Sequence, residues 1–180
     1  MKGTLRLTLA ITGAVALAAV IPAAALADGQ DAPLVRFNGG IGVDAVSNVT
    51  VSGGTTTVSA NTVRGVSPAG QIWVIRDLDA RVDVAGHVRV HGSGLLLAGG
   101  DGIGTGGGLS VFATLFCGAA GSATASSSSA TGVALDSDGD FSIDDVLSPE
   151  PPDPCDAPVL LIRATAGSHP WFAAGIPESP

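Results

Sequence analysis

Beyond residue 27 the chain has no stretch in which apolar residues recur at i, i+3, i+4 and i+7 over a helical length. Its apolar residues fall instead in short, β-branched runs, broken about every eight to twelve residues by Gly, Pro, Asn or Asp, the spacing of a β-sandwich or small barrel. Alternation is clearest over residues 78–84, where Leu78, Ala80, Val82 and Val84 share one face while Asp79, Arg81 and Asp83 share the other. That pattern predicts a half-buried strand whose charged face serves solubility. A turn at Ala85-Gly86 sends the chain back, Val88 and Val90 rejoin the apolar face, and Arg89 comes near Asp83 or Arg81 across the pair.

The remaining elements follow from the same signals. Residues 48–52 and 55–59, joined by Gly53-Gly54, read as a hairpin, because two glycines accept the positive φ angles of a tight primed turn. Residues 34–37 predict a short first strand and 71–75 a buried strand. Residues 109–117 are apolar on both faces, as a central strand is. Glycine-rich 98–108 and serine-rich 121–131 read as mobile loops. Residues 133–135 and 141–147 around an acidic turn suggest a second hairpin, and 159–163 and 171–173 read as the last strands.

Residues 1–27 have the order of a secretory signal peptide: a basic start at Lys2 and Arg6, an apolar run over 7–21, and an Ala25-Leu26-Ala27 cleavage site before Asp28. The run is short of the roughly 20 apolar residues of a membrane span, and no comparable run follows. The expected product is a secreted single domain, residues 28–180, without membrane insertion. Removal of Lys2 and Arg6 leaves six arginines against sixteen acids, a charge of −10 with no lysine. Such a surface argues against nucleic acid as a partner.

Export also decides how the two cysteines are read, since Cys117 and Cys155 in an oxidising compartment predict a structural disulfide. Closing a loop of nearly 40 residues stabilises by about 4 kcal/mol in the chain-entropy account.

Several motifs could carry chemistry. Asp136, Asp138 and Asp140 stand at positions 1, 3 and 5 of a calcium-loop pattern, with Ile143 at the apolar eighth position and Asp144 just beyond. Phe141 replaces the glycine that the sixth position wants, and Leu147 replaces the closing Glu, so a solvated Asp-Gly hairpin turn is the preferred reading and weak Ca²⁺ binding the alternative. His87 and His91 are four apart, which on a strand separates them by about 13 Å, too far to share one ion. Gly102-Ile103-Gly104-Thr105-Gly106-Gly107 satisfies G-x-G-x-x-G, yet a strand follows where a dinucleotide loop needs a helix. Gly65-Val66-Ser67-Pro68-Ala69 fails as a nucleophile elbow at its last position. Trp73 and Trp171 are expected in the core, with Trp171, after Pro170, the better candidate for a surface aromatic.

Residues 63–75 (VRGVSPAGQIWVI) and 154–163 (PCDAPVLLIR) resemble small, functionally uncharacterised secreted proteins of high-GC bacteria. The resemblance spans most of residues 28–180 and implies an immunoglobulin-like or related β-sandwich; it carries over no catalytic residues. The Asn48-Val49-Thr50 triplet has the form of a glycosylation sequon, to which an alanine-rich composition with one lysine gives little weight.

The expectation is thus an all-β fold of about seven to nine short strands with one disulfide. Its function would be that of an exported, non-enzymatic structural or binding module engaging an extracellular protein or glycan. A calcium-dependent adhesion or matrix module using Asp136, Asp138, Asp140 and Asp144 is the alternative. An extracytoplasmic enzyme drawing on His87, His91 or His169 is the second.

Overall fold

The structure, a computed structural model, describes residues 32–178. The expected leader lies outside the described residues. Over the described residues the chain is all-β, with thirteen strands: β1 (Pro33–Gly42), β2 (Val46–Ser52), β3 (Thr55–Ala60), β4 (Trp73–Val74), β5 (Asp77–Asp83), β6 (His87–Ser93), β7 (Leu96–Leu97), β8 (Ser110–Cys117), β9 (Thr124–Ser127), β10 (Val133–Ala134), β11 (Phe141–Val146), β12 (Val159–Ala164) and β13 (Trp171–Pro177).

Nine of them form one antiparallel sheet in the order β10-β8-β12-β13-β1-β5-β6-β11, with β9 beside β10 on the free edge of β8. The sheet curls until its two ends meet. Ser127, closing β9, and Ser148, just after β11, exchange backbone hydrogen bonds of 3.0 and 2.8 Å. Curling places the apolar side of each strand inward, so that Phe37, Leu78, Val82, Val88, Val90, Leu115, Leu160 and Ile162 are fully buried in one continuous core.

The alternation read at residues 78–84 holds where it matters, with Leu78, Ala80 and Val82 buried and Asp79 exposed. Asp83 departs from it. Its carboxylate accepts the N–H groups of Ala85 (3.0 Å) and His87 (2.9 Å), which folds it into the β5–β6 turn and buries it. Arg89 stands directly opposite Arg81, and its ionic partner is Asp144 on the other neighbouring strand, at 3.4 Å.

Strand β8 is buried on both faces, as its composition requires. Val111, Ala113 and Leu115 point into the core. On the outer face the Arg163 guanidinium lies 5.2 Å from the Phe112 ring centroid, His169 meets the same ring edge-on at 5.5 Å, and Arg163 Nη1 donates to Thr114 Oγ1 at 3.3 Å. Burial lowers the Arg163 pKa from its ordinary value.

Three expectations are corrected. The serine stretch expected to be a mobile loop contains strand β9, which pairs residue by residue with Thr114 to Cys117. The two arms of the second hairpin separate: β10 pairs with β8 and β11 with β6, although the acidic turn between them is closed. Residues 71–75 supply only the two-residue β4, in which Trp73 is buried and Val74 exposed, as is Ile72 just before it. The glycine-rich stretch 98–108 is a chain of turns, held in part by Gly104 N–H to Leu97 O at 2.8 Å.

Candidate functional site

The two ends of the curled sheet are built differently. At one, β8 ends at Cys117, whose Cα lies 4.9 Å from that of Cys155 in the predicted disulfide. A groove of about 540 Å³ adjoins that end, and Arg36, Glu178, Pro33, Leu34, Pro158 and Pro177 are among the residues that line it. At the other end the chain makes two excursions, 43–76 and 94–109, before re-entering the sheet. Trp73 stacks on Phe172 there, with ring centroids 4.2 Å apart, and closes the core.

The acidic turn lies at this second end. One oxygen of Asp136 accepts the N–H groups of Asp138 (2.9 Å) and Asp140 (2.8 Å), while Gly139, at φ 77° and against the Leu95 backbone, completes the reversal. Asp140 Oδ1 accepts the Gly94 N–H at 2.8 Å and pairs with Arg76 at 3.3 Å. Asp144 stands on β11, turned to Arg89. Of the four carboxylates read as calcium ligands, those of Asp136, Asp140 and Asp144 therefore hold a turn, a loop and a strand pair. Among the described residues no group of three or more His, Cys, Asp or Glu side chains converges.

The histidines are dispersed as well. His87 and His91 are exposed on the outer face of β6, where His91 Nδ1 is 3.2 Å from Ser142 Oγ, and His169 sits in the β12–β13 turn. Trp171 is not a surface aromatic: it is 3 % exposed, and its indole Nε1–H donates to the Asn61 carbonyl at 2.9 Å. The reason is its place in β13, where its backbone bonds to Ser67 and Ala69 draw residues 61–70 over the ring.

Asn61 is the root of the β2–β3 hairpin, and that hairpin is the part of the molecule that the core does not explain. Every residue of both strands is exposed. Gly53 and Gly54, at φ 57° and 79°, make the two-residue turn expected of them. Val49 faces Val58 and Val51 faces Thr56, so the pairing collects Val49, Val51, Thr56 and Val58 on one side and Asn48, Thr50, Ser52, Thr55, Thr57 and Ser59 on the other. The three valines are 55, 72 and 59 % exposed, in chain order. The base of the arm is fixed by Asp44 Oδ1, which accepts the Val46 N–H (3.1 Å), by Ser47, whose hydroxyl reaches the Ser59 and Ala60 carbonyls, and by the bond from Asn61 N–H to Ala45 O (3.1 Å).

Sequence reasoning located this hairpin but not its exposure, since alternating Val and Thr fit a core-facing strand equally well. No charged side chain occurs between Asp44 and Arg64, but the same holds between Asp101 and Asp136, where β8 is buried, so charge did not separate the two cases. No protein-family model, curated protein or solved structure matches the chain.

Proposed function

We propose that this protein is an exported, non-enzymatic structural or binding module of the cell exterior, in which a disulfide-clasped β-core displays the β2–β3 hairpin as its contact arm. The observation that carries the reading is the arm's uncovered valine face. An isolated two-stranded hairpin is marginally stable in water, and solvent-facing valines on one add nothing to folding. Contact with another surface gives them a role. The disulfide suits an oxidising compartment, in keeping with the leader-like residues 1–27. Among the described residues no helix is long and apolar enough to cross a membrane.

The test is a turnover screen of the purified, oxidised chain against ester, phosphate, glycoside and peptide substrates, beside a variant in which residues 47–59 are replaced by a short Gly-Ser link. The expectation is no turnover from either, and a melting temperature little changed by the replacement, because the other strands do not lean on the arm. Reproducible turnover that is lost on replacing His87, His91 or His169 would overturn the proposal.

A further inference from the structure

The few cations of this acidic chain are unevenly placed. Beyond residue 27 there are six arginines against sixteen acids, and three of the six, Arg36 on β1, Arg81 on β5 and Arg89 on β6, are direct cross-strand partners in one row. Their neighbours along the strands, Phe37, Ala80, Val82, Val88 and Val90, are buried, so the three arginines share the outer face, about 4.8 Å apart from strand to strand. Like charges directly opposite each other destabilise a sheet. One end of the row is answered, because Asp144 on β11 pairs with Arg89 at 3.4 Å. At the other end Arg36 is exposed and makes no ion pair among the described residues.

Arg36 is also the cation that lines the groove of about 540 Å³. We infer that this groove binds an amphiphile with a single anionic group, its head on Arg36 and its apolar body against Leu34 and the flanking prolines; the inference goes beyond the contact-arm reading and does not depend on it.

Size, wall chemistry and charge each narrow the class. The volume lies within the roughly 300–1,000 Å³ of small-molecule sites. Pro33, Pro158 and Pro177 have no N–H to offer a peptide backbone, so the walls favour an apolar body over an extended peptide. A guanidinium meets carboxylate or phosphate oxygens in bidentate fashion, and Arg81 beside Arg36 adds to the attraction. Glu178, whose N–H donates to the Arg36 carbonyl at 2.9 Å, also lines the groove and opposes a second negative charge on the head. The sixteen acids of the whole chain repel a polyanion in the same sense.

The experiment is titration calorimetry of the purified, oxidised chain at low salt with decanoate, octanoate and decyltrimethylammonium, each below its micelle concentration. Decanoate should bind saturably, octanoate about fourfold or more weakly for its two missing CH₂ groups, and the cation not at all. Arg36→Gln should weaken decanoate by about tenfold or more with the melting temperature kept or raised, since it removes a like-charge neighbour of Arg81. Glu178→Gln should tighten it. The variant with residues 47–59 replaced should bind as the parent does. Absence of saturable decanoate binding, equal binding of anion and cation, or indifference to Arg36→Gln would overturn the inference. So would decanoate binding that appears only in Asp28→Asn with Asp31→Asn, an outcome that gives the arginines to the chain's own upstream carboxylates.

Discussion

Ser126 and Ser128 are neighbours in a run of four serines, and the fold gives them opposite roles. Ser126, opposite Leu115, is 1 % exposed, and its hydroxyl finds no hydrogen-bond partner among the described residues. Ser128 lies where β9 has ended and β10 has not begun; its hydroxyl accepts the Ala113 N–H at 3.0 Å and so completes the edge of β8. A buried, unmet hydroxyl costs more than it returns, so Ser126→Ala should raise stability by about 1 kcal/mol, whereas Ser128→Ala should lower it by roughly 1–3 kcal/mol. Urea midpoints of the two variants measure this. Gly92 shows a third kind of single-residue control. It faces Phe141 across β6 and β11, and a Cβ there would fall on the ring. Gly92→Ala should cost roughly 1–3 kcal/mol through overpacking, read by the same titration.

Among the elements, the β2–β3 hairpin depends on a residue far from it in sequence. Trp171 fills part of the closed end and holds the Asn61 carbonyl through its indole N–H, so that the hairpin's return strand rejoins the body in a defined direction. Trp171→Phe keeps an aromatic in the core and removes that bond. The expected loss is about 1 kcal/mol of stability, with faster hydrogen exchange at the root, residues 60–63, as the specific readout. The acidic turn is the opposite case, a local motif that works locally. Asp136 caps two backbone N–H groups whatever the flanking strands do, and that independence lets β10 and β11 leave the turn for different partners.

At the scale of the molecule, the chain closes twice, once by backbone hydrogen bonds between Ser127 and Ser148 and once by the Cys117–Cys155 bond. The disulfide spans 38 residues and includes β9, β10 and β11, which the hydrogen-bonded seam alone would have to retain. Reduction, or Cys117→Ala with Cys155→Ala, should remove about 4 kcal/mol and lower the melting temperature by roughly 10 °C. What the sequence determined by itself was local or covalent: strand character from alternation at 78–84, tight turns from Gly53-Gly54 and Asp138-Gly139, and the pairing of the two cysteines, because each depends on neighbours along the chain or on there being one partner. What only the tertiary structure decided was which strand lies beside which and which faces are covered. A low-complexity serine run became a strand because the edge of β8 needed one, Trp171 went inside because residues 61–70 fold over it, and the valines of residues 46–60 stayed outside because the curled sheet had already closed its core without them.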